Sequence, residues 1–160
     1  MAINPDVFKA AMGQYAAGVT IVTMNAGGED HGFTASSFTS LSIDPMLVLV
    51  CVVKEQRSHD LIQDCKHFAV NILSGGQQDL GGKFASSKTP DRFAGVDVTR
   101  AETGAPILPN NLAWVDCKLH SVLPGGDHSI FVGEVVDAAV PGEGDPLLYF
   151  NRAWGTFSAT

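Results

Sequence analysis

Charge, cysteine and clustered cations are what this sequence has least of. Only 17% of its 160 residues are charged, with 10 Lys and Arg against 17 Asp and Glu and a formal net charge of −7. Nucleic acid and anionic membrane are bound by clustered Lys and Arg that displace counterions, so neither is an expected partner. A small phosphate-bearing ligand held by a few local donors is still compatible with an acidic chain. The three cysteines, Cys51, Cys65 and Cys117, are odd in number and widely spaced. That excludes a disulfide framework and a CxxC zinc or redox pair, and a reduced cytoplasmic setting is expected. The chain opens without a charged segment leading into an apolar one, and no apolar run approaches the roughly 20 residues of a membrane-spanning helix. The longest run, residues 46–53 (MLVLVCVV), has the length of a strand.

Familiar catalytic signatures are missing too. Gly142-Glu143-Gly144 has Leu147 where a dinucleotide fingerprint needs its third glycine. Gly82-Lys83 has Gln77 and Phe84 where a phosphate loop needs Gly and Ser or Thr. The five histidines, at positions 31, 59, 67, 120 and 128, show no metal-ligand spacing, and there is no GxSxG elbow. Metal-dependent and serine hydrolase chemistry are therefore not expected.

What is abundant is apolar residue, 45% of the chain. A chain of this length buries roughly 70% of its unfolded surface, so residues 1–160 are read as one domain with a full core and no need of a structural metal. Asn4-Pro5 followed by Val7, Phe8, Ala11, Met12 and Tyr15 predicts a capped amphipathic helix running to about Ala16. Beyond Gly18, runs of β-branched and apolar residues at 19–24, 32–39, 46–53, 68–73, 114–122 and 129–140 predict antiparallel strands. Two short helices interrupt them, one with Ser58 as its N-cap and one over residues 77–85. The alternation of a parallel sheet is missing, so the economical solution is a closed or nearly closed β-barrel with a few helices across its ends. Residues 95–111 lack periodicity, and a connection that long is expected to be a lid, a binding arm or a flexible segment.

One stretch stands out chemically. Thr34, Ser36, Ser37, Thr39, Ser40 and Ser42 place six hydroxyls in nine residues between two apolar strands, ahead of the turn Asp44-Pro45. Hydroxyls and free N–H groups at a strand end can surround an anionic, polyol-bearing ligand without positive charge.

Together with its surroundings this stretch resembles the short-chain flavin reductases, the small components that supply reduced flavin to two-component monooxygenases. The resemblance runs in order through Phe8, residues 18–23 (GVTIVT), residues 44–52 (DPMLVLVCV), residues 68–73 (FAVNIL), residues 104–108 (GAPIL), Gly126-Asp127-His128 and residues 146–150 (PLLYF). It implies a mainly β fold, a six-stranded Greek-key split β-barrel with a few short helices, known as the FMN-binding split barrel. It also implies a homodimer, and an NAD(P)H:flavin oxidoreductase taking FMN or FAD as flavin and NADH or NADPH as hydride donor, with a monooxygenase as the partner.

Carried residue by residue, the resemblance lays Thr34, Ala35, Ser36 and Ser37 along the isoalloxazine and ribityl group, with Cys51 and Val52 passing beneath. It puts Ser58 at the phosphate, Lys54, Arg57 and Lys83 as candidate phosphate cations, and Phe84 and Ala85 against the flavin. His128, opening a strand after a Gly-Asp turn, is the catalytic candidate, orienting the nicotinamide. His31 is read as capping a hairpin, and His59, His67 and His120 as surface or strand residues. Where the family commonly has a glycine near Arg152, this chain reads Asn151-Arg152-Ala153-Trp154. Two other readings use the same scaffold: an electron carrier that retains FMN, and a flavin-dependent reductase of a bound substrate such as a corrinoid.

Overall fold

The computed structural model describes residues 3–159. In chain order the elements are α1 (Pro5–Gly13), β1 (Ala17–Gly18), β2 (Thr20–Ala26), β3 (Glu29–Ala35), β4 (Thr39–Ile43), β5 (Met46–Val53), α2 (Arg57–Cys65) and β6 (His67–Ile72). They continue with α3 (Gln78–Ala85), β7 (Thr99–Arg100), β8 (Pro106–Ile107), β9 (Ala113–Gly125), β10 (His128–Ala139), β11 (Leu147–Phe150) and β12 (Ala153–Thr156). The fold is mainly β with a few short helices, and its principal sheet is antiparallel in the order β3-β2-β6-β9-β10-β5-β4.

Six strands closing on themselves were expected. The sheet has seven, and its two edges, β3 and β4, share no ladder. The extra strand arises because residues 32–39 do not form one strand: the chain leaves β3 at Ala35, passes through Ser36, Ser37 and Phe38, and enters β4 on the opposite edge. Four Cα–Cα steps span at most about 15 Å. A flat seven-stranded sheet would hold its outer strands about 29 Å apart. The sheet is therefore strongly curled, with a seam between β3 and β4 that carries no main-chain pairing.

Alternation along β5 shows how the curl fills. Val48, Val50 and Val52 are buried, while Leu47, Leu49, Cys51 and Val53 on the other face are only half-buried. The interior gathers Val22, Met24, Phe33, Phe68 and Phe131, with Ile62 contributed by α2. Each such side chain adds about 1.5–3 kcal/mol by leaving water. Strand β2 is buried on both faces, because Ile21 on its outer face packs with Leu73, Phe84, Leu108 and Leu147 in a second cluster.

The expectation of a lid or flexible arm at residues 95–111 is not met over its second half, where Leu108 joins this outer cluster and Ala105 and Ile107 pack with Ala69 in a third. Ala105, Ile107 and Leu108 are buried, and Asn71 is the reason the segment stays down. The Asn71 amide donates to Ile21 O and Thr23 Oγ1 at 3.1 Å each. Its carbonyl oxygen accepts from Leu108 N at 2.8 Å and Asn111 Nδ2 at 3.0 Å. Thr23 Oγ1 in turn donates to Pro106 O at 2.6 Å. A buried amide with its donors and acceptors engaged costs little, whereas leaving them unpaired would cost about 1–3 kcal/mol.

Candidate functional site

Two groups of the expected residues come together, at the seam and beside the start of α2. At the seam, Ser37 Oγ donates to Cys51 O at 2.9 Å and accepts from Cys51 N at 3.3 Å. Ser36 and Ser37 are exposed, and Ala35 is buried at the end of β3. Val52 points into the core at 1% exposure, so only its main chain can face a ligand. Cys51 stands on the outer face of β5. In the antiparallel register His128 lies opposite Val53 and Ile130 opposite Cys51, so His128 shares that outer face with Cys51.

His128 occupies the first position of β10, after the turn at Gly126 with φ +74°. Its Nδ1 lies 2.7 Å from Asp127 Oδ1. The hydrogen bond from His128 holds the Asp127 carboxyl below the usual carboxylate range, so it is ionised and can only accept. Nδ1 must then carry the proton, which leaves Nε2 as the ring atom available to a ligand.

The second group surrounds a cavity of about 250 Å³ that brings together Thr34, Ser58, Phe84 and Ala85 with Arg57 and Arg92. Ser58 is not the helix cap that was expected. Gln56 takes that place, and Arg57 and Ser58 are the first two helical residues, whose N–H groups have no helical carbonyl to reach. An anion is favoured there by the same geometry and by the helix dipole. Thr34 spends its hydroxyl on Gly81 O at 2.6 Å, fixing α3 against β3. Gly32 permits this closeness: a Cβ there would stand 2.9 Å from Phe84 Cε1. The buried Phe84 ring meets Phe93 edge to face at 5.0 Å and forms a floor.

Arg92 was not singled out from sequence, being a lone cation in an aperiodic stretch. Its guanidinium donates to Gly32 O at 2.7 Å and to Ser86 O at 2.9 and 3.3 Å. Among the described residues no carboxylate pairs with it, so its charge is held in place by carbonyls and left unneutralised. The two lysines lie elsewhere. Lys54 Nζ donates to Gly126 O at 2.6 Å, beneath the His128 turn, and Lys83 Nζ to Ala94 O at 2.6 Å.

Two histidines depart from expectation. His31 sits within β3 opposite Met24, away from the turn at Gly27 and Gly28, and lines a cavity of about 650 Å³. His59 is tied to Ser129 Oγ at 2.9 Å and stands edge-on to Phe131. No cluster of His, Cys, Asp or Glu among the described residues could hold a metal.

A curled antiparallel sheet with an unpaired, hydroxyl-bearing seam and a cation-rimmed cavity beside a helix start suits a phosphorylated aromatic cofactor. The chain belongs to the flavin reductase-like domain family, whose model matches residues 12–158. It is 42% identical over 150 residues to the reductase subunit HsaB of a flavin-dependent monooxygenase from Rhodococcus jostii, covering 94% of this chain and 76% of that one. A flavin reductase from Pseudomonas putida is 39% identical over 159 residues, covering 99% and 93% of the two chains. Among solved structures, the NADH:FAD oxidoreductase SgcE6 of Streptomyces globisporus, in complex with NAD and FAD fragments, superposes with a TM-score of 0.89. It is 35% identical and covers 99% of this chain and 97% of its own.

Proposed function

We propose that this chain is an NAD(P)H:flavin oxidoreductase that reduces FMN or FAD and supplies the reduced flavin to a partner monooxygenase. The observation that carries the reading is the Ser37–Cys51 bond at an unpaired seam, with His128 on the same outer face of β5 and β10, in a chain that matches the flavin reductase-like family nearly end to end. The residues fit the group. The unpaired edges of β3 and β4 at the seam suit the polar edge of a flavin ring, and Ser58, Arg57 and Arg92 suit its phosphate. Redox chemistry is supplied by the flavin when bound, with NADH or NADPH as hydride donor.

The protein's own work is binding and orientation. Arg57, Arg92 and the first N–H groups of α2 hold the phosphate, while Thr34 keeps α3 and its Phe84-Ala85 end against the sheet. His128, with its tautomer set by Asp127, presents Nε2 on the outer face of β5 and β10 and orients the nicotinamide beside the seam. Lys54 is a positioning residue in this scheme, buttressing the Gly126 turn. The curled sheet is read as a split barrel with a seventh strand.

A homodimer is part of the proposal. Helix α1 buries none of its residues, and Val7, Phe8 and Met12 lie more than half exposed along it. A second copy is the natural cover for that stripe. Among the described residues no helix is long and apolar enough to cross a membrane, and a cytoplasmic location is proposed from the three unpaired cysteines. Mixing the protein with NADH or NADPH and FMN or FAD under air should oxidise the nucleotide catalytically, followed by its absorbance. Failure with every combination would overturn the reading.

A further inference from the structure

One buried polar pair takes no part in holding either ligand. His59 Nε2 lies 2.9 Å from Ser129 Oγ, and Ser129 is 6% exposed, opposite Val52 in the β5–β10 ladder. The His59 ring is fixed from its other sides as well. It stands edge-on to Phe131 at 5.2 Å, and its Nδ1 lies 3.2 Å from both Asp60 Oδ1 and Gln63 Nε2. Apolar side chains at positions 59 and 129 would fill this space without burying polar groups at all. What the polar pair adds is direction, because a satisfied hydrogen bond in a packed core admits one alignment of the elements it joins. Those elements are α2 and β10, and among the described residues no other side-chain hydrogen bond joins them.

Each member of the pair is the chain neighbour of a residue in the proposed site. Ser58, in the first turn of α2, precedes His59, and His128 precedes Ser129. Successive strand residues point to opposite faces, so Ser129 turns inward to His59 while His128 turns outward. We infer that the His59–Ser129 bond is a positioning device for hydride transfer. It fixes the start of β10 against the start of α2, and so fixes the His128 ring, with the nicotinamide it orients, relative to the flavin that α2 holds by its phosphate. This role rests on the flavin reductase reading and adds two residues to it, neither of them placed against flavin or nucleotide. The other bonds at this corner are Lys54 N to Asp127 O at 3.0 Å and Lys54 Nζ to Gly126 O at 2.6 Å. They tie the turn to the end of β5 and do not reach the helix.

The test measures kcat for nucleotide oxidation at saturating flavin, with the flavin Kd, in the wild type and in Ser129→Ala made alone and in the His128→Ala background. Ser129→Ala alone should lower kcat about tenfold, since small misplacements of a positioned group are costly, and leave the flavin Kd within about twofold. In the His128→Ala background the same change should cost less than about twofold, because no ring is left to misplace. His59→Gln, which keeps an amide N–H in reach of Ser129, should retain most of the wild-type rate. The double variant His59→Phe with Ser129→Ala leaves neither partner buried and unpaired, so it should keep the wild-type Tm and still show the tenfold loss. An unchanged rate in Ser129→Ala, an equal loss in both backgrounds, or a wild-type rate in the double variant would overturn the inference and leave the reductase reading standing. A wild type inactive with every flavin and nucleotide would overturn both.

Discussion

Ser37 and Cys51 meet as two paired strand residues would, but one partner uses its side chain. The Ser37 hydroxyl donates to the Cys51 carbonyl and accepts from the Cys51 N–H, satisfying both main-chain groups of a β5 residue beyond the last β4–β5 pair. Removing it leaves two main-chain groups at the mouth of the seam to solvent. Ser37→Ala should lower stability by about 1 kcal/mol and weaken flavin binding by a similar amount, because the same hydroxyl sets the seam's width. Denaturant midpoints and a flavin titration on one preparation measure both. Tighter flavin binding in the variant would contradict the assignment.

In the proposed scheme His128 acts on the nucleotide and not on the flavin phosphate, because it sits on the β5–β10 face while the arginines lie beside α2. His128→Ala should therefore lower the NADH-dependent rate at saturating flavin by about 10- to 100-fold, with the flavin Kd little changed. Asp127→Asn should fall between wild type and that variant, because the ring stays but its tautomer is no longer imposed. A collapse of flavin affinity with the rate preserved would place the histidine in the wrong site.

Acid should weaken the hairpin of β2 and β3. Burial pushes the Asp30 carboxyl up, but hydrogen bonds from Arg100 and Asn25 outweigh it and hold the group below its ordinary value. A carboxyl depressed in the folded state stabilises above its unfolded value of about 3.9 and loses that contribution as pH falls through the folded value. Arg100 is 44% exposed on its side chain, which limits the pair to under about 1 kcal/mol. Asp30→Asn should cost that much at pH 7, and its difference from wild type should shrink toward zero as pH falls below about 4 and through the folded value, followed by urea midpoints across that range.

Asn151 and Arg152 form the two-residue turn between β11 and β12, with φ of +46° and +63°. Such turns favour Asn followed by Gly, because the second residue carries its side chain into a left-handed backbone. Arg152→Gly should raise stability by about 1 kcal/mol, read as a higher Tm. Unchanged or lower stability would mean that the guanidinium contributes more than the strain removes.

Local signals carry the strand that stands on its own apolar run: residues 46–53 have the bounds of β5, and the histidine after the Gly-Asp turn opens its strand as expected. What escaped was whatever depends on a distant partner. Nothing in the hydroxyl-rich run marks Ala35 as the place where the chain leaves one edge of a sheet for the other, since Thr and Phe suit either strand equally. The hold on residues 105–111 depends on Asn71, and the worth of Arg92 depends on carbonyls at Gly32 and Ser86. Both are long-range arrangements without a spacing to read. Ser58 lies two positions inside the helix it was expected to cap, because Gln56, a weak capping residue, takes the N-cap without a side-chain bond.

The three residues 36–38 also settle how an open sheet avoids the hazards of open edges. Unpaired strand edges invite pairing with other chains. Here both edges are leashed to each other by covalent bonds, so neither can splay outward far enough to recruit a foreign strand over its full length. The groups left unpaired along the gap stay within a short reach of one another at the 36–38 end, which in the proposed scheme suits a flat molecule with acceptors on its rim. Covalent closure without hydrogen-bonded closure thus turns a defect of the sheet into a slot.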